Sequence, residues 1–410
     1  MRLSCLVIFL FLSKVSFASR EDESEVSFYS YTGNDLFPSF LIATASVDWN
    51  GDEQSAEDRK GEDDSVLEEG ETPLYGDENG SIGVEITDIA EGSVIRVEME
   101  GDDFLNESVW EGECDGDYEL IRVLPKASWN YEALRGCIQQ KPANLKIRVY
   151  VDDEEVAELN ETIQLKAVSD CPFYVILDEE GASLDDISIT FAAYVNENHP
   201  WVDGLLKEAL DATKDQGLNG FTGYQMGSVD EVLLQVFAVW NALQRRGIKY
   251  SDISTNIPSK RVYSQSVRML DESIKASQAN CVDGSVLMAS ILRKIGMEVD
   301  LVMVPGHCFL AFANGDKENP ARFFLETTML GNSDLQPVEN LPDLPESLKK
   351  GEFEASFATF AAALEAGKEH FINNEEAFES QEDPNVQFVS ISAARSMGIV
   401  PLSALTDNLE

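Results

Sequence analysis

One cysteine of this chain stands where helix geometry could make it reactive. The segment ANCVDGSVLMASILRKIG (279–296) carries apolar residues at three- and four-residue spacing and ends at Gly296. This pattern predicts an amphipathic helix with Cys281 in its first turn. Unpaired amides and the positive end of the helix dipole there stabilise a thiolate, which is the reactive form. A lone cysteine beside a helix is more often a packing residue, so Cys281 needs partners before it indicates catalysis.

A histidine and a glutamate downstream could be those partners. The segment MEVDLVMVPGHCFLAFAN reads as two apolar strands separated by a Pro-Gly turn, and FFLETTM supplies a third. His307 opens the second strand, and Glu326 stands inside the third, where an unpaired carboxylate is costly. If the last two strands form an antiparallel hairpin with Ala313 near Arg322, His307 and Glu326 share one face. Cys308 then points to the opposite face, and we expect it in the core.

The order cysteine, histidine, acid is typical of thiol catalysis. The segments NCVDGSVLMASILRKIG, VMVPGHCFLAF and FLETTM resemble the transglutaminase-like superfamily, a branch of the papain-like cysteine enzymes, over roughly residues 196–329. The resemblance implies an α+β domain with Cys281 as nucleophile, His307 as general base and acid, and Glu326 as the third member, where aspartate is more usual.

The resemblance is to members of the exported bacterial type, and it also implies an activity. A peptidase or amidase would pass the acyl group of a peptide or protein amide from a Cys thioester to water, and a transglutaminase-type acyltransferase would pass it to an amine. No cofactor is implied, because thiol, imidazole and carboxylate suffice. Some relatives are binding proteins, so the alternative is a catalytically inactive envelope interaction protein that keeps the fold.

Oxyanion stabilisation requires hydrogen-bond donors near the nucleophile. Gln278, Asn280 and the Cys281 amide are the candidates that the sequence offers. Gln278 could equally cap the preceding helix, and both interpretations stay open.

The remaining histidines show no metal-binding pattern. The chain has three histidines and no Cys-x-x-Cys, and the histidines lie too far apart in sequence for zinc-ligand spacing, so no metal site is predicted. We expect His199, beside Pro200 at a helix entry, to lie at the surface or act as a cap. We expect His370, at a helix end, to interact with the helix dipole.

The elements that position these residues change in character along the chain. Between residues 76 and 170, segments such as SVIRVEME alternate apolar and polar residues, which predicts an all-β antiparallel sandwich with an accessory role. From 171 to 410, helical patterns such as SVDEVLLQVFAVWNALQRRG and EFEASFATFAAALEAGKEHF accompany the strands described above. These patterns predict an α+β C-terminal domain with a C-terminal extension, preceded by the β-sandwich, and the resemblance implies that the C-terminal domain has the transglutaminase-like (papain-like) fold.

The N-terminal 18 residues read as an export signal. A positive start at Arg2, a short apolar run and the small residues around Ala18 predict a signal peptide cleaved after Ala18. No other segment approaches spanning length, so no membrane span is expected in the mature chain. We expect the protein to be exported to the periplasm, cell surface or medium, and the short signal favours a bacterial envelope.

Residues 19–75 are rich in Asp, Glu, Ser and Gly, which predicts a disordered acidic leader. The sequence DWNGD (48–52) opens like a calcium loop but lacks the sixth-position glycine and the twelfth-position glutamate. Weak divalent-cation binding is the most that this leader indicates.

The net charge limits the possible binding partners, and the number of cysteines limits the possible disulfides. Lys plus Arg total 30 against 75 Asp plus Glu, a net charge of -45, which argues against a nucleic-acid partner. The expected partner is a protein or peptide substrate.

Of six cysteines, Cys5 leaves with the signal, so an odd number remains and at least one thiol is unpaired within the chain. Cys114 and Cys137 could form a disulfide.

Overall fold

The computed structural model describes residues 24–47, 72–178, 183–225, 228–252, 258–338, 341–380 and 383–402. The chain combines α-helices with several β-sheets. The predicted signal peptide and the DWNGD segment lie outside the described residues. Across the described ranges, no helix has the length and apolar character needed to cross a membrane.

Two sheets dominate the N-terminal region. Its strands are β1 (Val26–Ser30), β2 (Asp35–Leu36), β3 (Leu74–Gly76), β4 (Ile82–Ile89), β5 (Val94–Gly101), β6 (Leu105–Asn106), β7 (Ser108–Glu113), β8 (Tyr118–Leu124), β9 (Ser128–Trp129), β10 (Lys141–Val151) and β11 (Glu154–Leu165). One sheet has the order β1-β4-β8-β3 and the other β2-β11-β10-β5-β7, while β6 and β9 form a separate ribbon. Ile95, Val97 and Met99 of β5 are buried, as their alternation predicted.

Residues 24–47 correct the prediction of a disordered leader. Strand β1 pairs antiparallel with β4, and β2 pairs parallel with β11. The helix that follows, α1 (Pro38–Ala43), is buried along its whole length. The prediction was wrong here because the acidic residues further along dominated the composition of the window and masked the apolar run LFPSFLIA. The pairing of β3 with β8 is also parallel, so the region is not purely antiparallel.

The cysteines correct a second expectation. The five that the structure describes are all free thiols, so the bridge considered between Cys114 and Cys137 is absent. Cys114 Sγ lies 3.5 Å from the Tyr75 hydroxyl, whereas Cys137 Sγ lies 3.2 Å from the carbonyl oxygen of Lys166. Their placement on either side of one hydrophobic segment did not show that the two thiols have different neighbours.

The remaining elements form the region that holds the site. Helix α2 (Tyr131–Arg135) belongs to the N-terminal region, and the helices of the region that holds the site are α3 (Pro200–Thr213), α4 (Val229–Arg245), α5 (Leu270–Ala276), α6 (Cys281–Lys294), α7 (Glu354–Asn373), α8 (Glu375–Ser380) and α9 (Ile391–Ser396). Short 3-10 helices cover Ser188–Tyr194, Lys214–Gln216, Thr327–Met329, Glu346–Lys349 and Gly351–Phe353. The strands are β12 (Asp170–Ile176), β13 (Leu184–Asp186), β14 (Lys249–Tyr250), β15 (Val262–Ser266), β16 (Gln278–Ala279), β17 (Val299–Val304), β18 (His307–Ala313), β19 (Arg322–Leu325) and β20 (Gln387–Ser390).

One antiparallel sheet, of order β19-β18-β17-β20, carries the histidine and the glutamate. The hairpin pairs Ala313 with Arg322, which is the register predicted from sequence. Helix α6 packs on β17 and β18, and its residues from Val282 to Leu292 are buried. Helix α4 is joined to α7 by the buried Trp240, whose indole donates to Thr359 Oγ1 at 2.9 Å.

Candidate active site

Cys281 is the first residue of α6, as predicted, and Asn280 is the N-cap. The Asp283 amide donates to Asn280 Oδ1 at 2.8 Å, and the Asn280 amide donates to Asp283 Oδ2 at 3.1 Å. This reciprocal cap fixes the turn that presents Cys281. The cysteine side chain is partly exposed, whereas the other described cysteines are buried. Because the first amides of a helix have no intrahelical acceptor, hydrogen-bond donors are available beside Cys281.

Asp283 is a positioning residue that the sequence reasoning missed. Its side chain is fully buried and lies 2.8 Å from Arg268 Nη1, and the Arg268 amide donates to it at 2.8 Å. The carboxylate thus ties the loop before α5 to the turn that carries Cys281. The spacing N-x-x-D at the start of α6 is a variant of the capping box and could have identified it.

His307 and Glu326 meet through the β18–β19 hairpin. His307 Nε2 lies 2.5 Å from Glu326 Oε2. Glu326 lies just beyond β19 and not inside the strand. It caps the 3-10 turn Thr327–Met329, and its Oε1 accepts from the Thr328 amide at 2.9 Å. The Cys281 side chain is near enough to His307 to contribute to the raised pKa of the imidazole. Since Glu326 holds Nε2, Nδ1 is the ring nitrogen left for the thiol.

Burial and charge act in opposite directions on the histidine and the glutamate. Burial lowers the pKa of His307, but the interactions with Cys281 and Glu326 outweigh it and raise this pKa to about 10. Burial favours the neutral form of Glu326, which is 1% exposed, yet the hydrogen bond from His307 and those from Thr328 hold its pKa below the usual value. The arrangement therefore favours an imidazolium at His307 beside an ionised Glu326.

The segment after Glu326 docks on the helix that carries the cysteine. Ser285 Oγ and Thr327 Oγ1 both donate to the Cys281 carbonyl oxygen, at 2.8 and 3.4 Å. Gly284 allows this approach, because a Cβ there would lie 2.7 Å from Thr327 Oγ1. The acid and the nucleophile are thus held in one short network of polar contacts.

Cys281 and His307 open into a cavity of about 400 Å³. Several elements converge on it: β12, the 3-10 helix Ser188–Tyr194, β15, the start of α6, the β17–β18 turn and β20. Its described lining includes no lysine or arginine and one carboxylate. The wall consists mainly of aromatic rings and neutral polar side chains, together with that acid: Phe173, Phe191, Gln265, Asn385, Gln387 and Asp252.

The two side chains considered as oxyanion donors differ in position. Asn280 lines the cavity, and because its Oδ1 accepts from the Asp283 amide, its Nδ2 is the group left to donate. Gln278 is exposed on β16 and is not part of the cavity wall. Gln278 therefore is not part of the site in this structure, and the Asn280 side chain and the Cys281 amide stay as the candidate donors.

His370 joins the site, which the sequence analysis did not predict. It does lie in the last turn of α7, as expected of a dipole partner. Its ring centroid, however, is 4.8 Å from that of His307, and its Nε2 is 3.4 Å from Glu326 Oε2. Gly367 permits this contact, because a Cβ there would lie 2.6 Å from the backbone carbon of Phe324 on β19. No local sequence pattern connects the two histidines.

Two further predictions agree with the structure. His199 caps α3, with its Nδ1 accepting from the Trp201 amide at 3.3 Å. Cys308 is fully buried, and burial raises the pKa of its thiol well above the usual value. Cys308 is thereby excluded as a competing nucleophile.

No protein-family model matches the chain, and a search of curated proteins returns no significant match. The resemblance to transglutaminase-like enzymes is therefore an expectation from the sequence alone.

Proposed function

We propose that the protein is a transglutaminase-like thiol enzyme that acts on peptide or protein amide bonds through a thioester on Cys281. The observation that carries the proposal is the polar chain from the partly exposed Cys281 through His307 to Glu326, with 2.5 Å between His307 Nε2 and Glu326 Oε2, at the wall of a cavity. A thiol, an imidazole and a carboxylate from three separate elements come together, which is the set of groups that thiol catalysis uses.

The residues of the site can be assigned to the steps of the proposed reaction. The Cys281 thiolate attacks the substrate carbonyl carbon, and the oxygen takes up negative charge near the Cys281 amide. His307 gives its Nδ1 proton to the departing amine, which breaks the C–N bond and leaves the thioester. His307 then takes a proton from water or from an acceptor amine as that nucleophile attacks, and Cys281 leaves as the thiolate. Glu326 orients the ring and stays ionised throughout.

The proposal extends to the rest of the chain. The two N-terminal sheets form a sandwich with an accessory role, and the region from β12 onward is the α+β catalytic unit. The cavity, which several elements enclose, would hold the chain that carries the scissile amide. The proposed location is outside the cytoplasm, on the basis of the N-terminal sequence.

Thiol alkylation tests the proposal without a known substrate. We expect iodoacetamide at neutral pH to modify Cys281 of the folded protein much faster than a free model thiol, and His307→Asn to slow this reaction. Cys308 and the other buried thiols should react only after unfolding and so serve as internal controls, with mass spectrometry locating each adduct. If Cys281 reacts no faster than the model thiol, the proposal of a thiol enzyme is excluded, and the alternative of an inactive interaction protein is favoured.

A substrate screen then distinguishes the two acyl acceptors. Unlabelled protein substrates would be incubated with the wild type and Cys281→Ala, with and without a fluorescent primary amine. New peptide termini indicate hydrolysis, whereas incorporated fluorescence indicates transamidation. Either signal must disappear in Cys281→Ala.

A further inference from the structure

Two of the three histidines in the chain meet on a single buried carboxylate. Glu326 Oε2 lies 2.5 Å from His307 Nε2 and 3.4 Å from His370 Nε2. The Thr328 amide holds the other oxygen, Oε1, so Oε2 stays directed at both rings. The proposed mechanism uses His307 and Glu326 but gives His370 no task.

The geometry points to a zinc site formed by His307, Glu326 and His370. Two imidazoles and a carboxylate are a donor set that zinc uses where one coordination position stays open. Two imidazoles also select Zn²⁺ over Mg²⁺ or Ca²⁺, which prefer oxygen ligands. We infer that Zn²⁺ bound here switches off the thiol chemistry, so the inhibitory part of the inference rests on the proposed function while the binding part does not.

The donor atoms are nearly in place for such a metal. They all lie within 4.8 Å of one another. Zinc bonds of about 2.0–2.2 Å require donors roughly 3.3 Å apart in a tetrahedral site. The 2.5 Å pair must therefore open by about 0.8 Å, and the farthest pair must close by up to about 1.5 Å. The His370 side chain is 41% exposed and that of His307 24%, so both rings have room to rotate.

Bound zinc would block the proton transfers of His307. The metal takes the lone pair of Nε2, and Nδ1 then keeps its proton. A ring in this state cannot accept a proton from water or an amine, and it gives up its own proton less readily than an imidazolium does. Zinc also draws Glu326 away from its role as the anion that orients the ring.

Direct metal binding tests the inference. Zn²⁺ would be titrated into the full-length protein in a large excess of Mg²⁺, which saturates weak sites on the acidic surface. We expect one Zn²⁺ per chain, at least tenfold weaker binding in His370→Ala, and a similar loss in Glu326→Gln. His199→Asn removes the one histidine outside the cluster, keeps the helix cap, and should bind zinc like the wild type. Co²⁺ in place of Zn²⁺ should give the visible absorption of a four-coordinate site in the wild type and lose it in His370→Ala.

The outcomes separate this inference from the proposed function. If His370→Ala binds zinc as tightly as the wild type, or if the wild type shows no site in excess Mg²⁺, the zinc site is excluded, whatever Cys281 does with iodoacetamide. If zinc binds as expected but Cys281 is unreactive, the site stands and the thiol enzyme fails. With a substrate in hand, Zn²⁺ should inhibit the wild type and have little effect on the residual turnover of His370→Ala, and equal inhibition of both would overturn the inhibitory role.

Discussion

At the scale of single residues, Glu326 is the group on which the site depends most. It holds His307 through Oε2, accepts the Thr328 amide through Oε1, and lies near His370. It is 1% exposed, so its charge has little access to water and must be compensated by these donors. The cost of burying the carboxylate is thus offset by the same contacts that orient the proposed base.

Replacing this charge without changing the shape gives the first prediction. Glu326→Gln keeps an acceptor for His307 but removes the negative charge that favours the imidazolium and hence the thiolate. We expect the alkylation rate of Cys281 to fall by about tenfold or more, the lower end of what one neighbouring opposite charge contributes. Asp252→Asn is the matched control, because Asp252 lines the same cavity, and its removal should leave the rate with uncharged iodoacetamide nearly unchanged. Equal rates in Glu326→Gln and the wild type would contradict a role for Glu326.

His199 gives a prediction about pH. Burial lowers the pKa of this histidine, with Asp271 opposing and Lys275 assisting the shift, and its neutral Nδ1 caps α3. The unfolded chain therefore binds a proton at His199 at a higher pH than the folded chain does. The stability that neutral His199 contributes is fully present above the ordinary histidine pKa. It is lost as the pH falls from that value toward the lower pKa of the folded state. Protonation also removes the cap, a loss of roughly 0.5–2 kcal/mol.

His199→Asn keeps a capping acceptor that does not titrate. We expect the free energy of unfolding of this variant to change less between pH 7 and pH 5 than that of the wild type, as measured by urea denaturation. The same slope in both proteins would show that another group controls this range.

At the scale of elements, spacing predicted some features and not others. The start of α6 at Cys281 and the pairing of Ala313 with Arg322 follow from hydrophobic periodicity and turn residues, which are local signals. The meeting of His370 with Glu326 depends on how closely α7 approaches β19, which is set by tertiary packing. No spacing in the sequence encodes that approach.

The structured segment 24–47 illustrates a different limit. Its apolar stretch, with Pro38 at the first turn of α1, carried a usable helix signal. Averaging composition over a long acidic window hid it. The cavity wall comes from six separate elements, and their approach is set by tertiary packing. Its position could therefore not be predicted from the sequence, as was the case for His370.

Gly367 tests the contact between α7 and β19. The atoms nearest to an added Cβ are backbone atoms of Phe324 and Leu325, at 2.6 and 2.7 Å, so they cannot rotate away. We expect Gly367→Ala to push α7 outward, lower the free energy of unfolding by about 1–3 kcal/mol, and slow alkylation of Cys281 as Glu326 shifts. Gly204→Ala on α3 is the matched control: its Cβ meets nothing within 4 Å, and it should stabilise by roughly 0.5–1 kcal/mol. If both variants gain stability in urea, the close approach does not constrain the fold.

At the scale of the whole molecule, charge acts on whatever approaches Cys281. The net charge is -45, and the described wall of the cavity carries Asp252 but no lysine or arginine. A field of this sign raises the local concentration of cations at a cleft and lowers that of anions. In the proposed reaction, this field should favour neutral or basic groups next to the scissile amide, and basic acceptor amines over acidic ones.

Two thiol reagents of opposite charge measure this field at the site. A cationic and an anionic methanethiosulfonate each form a mixed disulfide with Cys281 and release a sulfinate. We expect the ratio of the two reaction rates, cationic over anionic, to be about tenfold higher for Cys281 than for a small free thiol at low salt. The advantage should shrink as salt is raised, because the Debye length falls from about 10 Å at 0.1 M to about 3 Å at 1 M. Asp252→Asn should remove the part of the preference that persists at high salt, since that part comes from a charge at the cavity itself. A ratio equal to that of the free thiol at every salt concentration would mean that the acidic surface does not act at Cys281, and the expected preference for basic substrates would have to be abandoned.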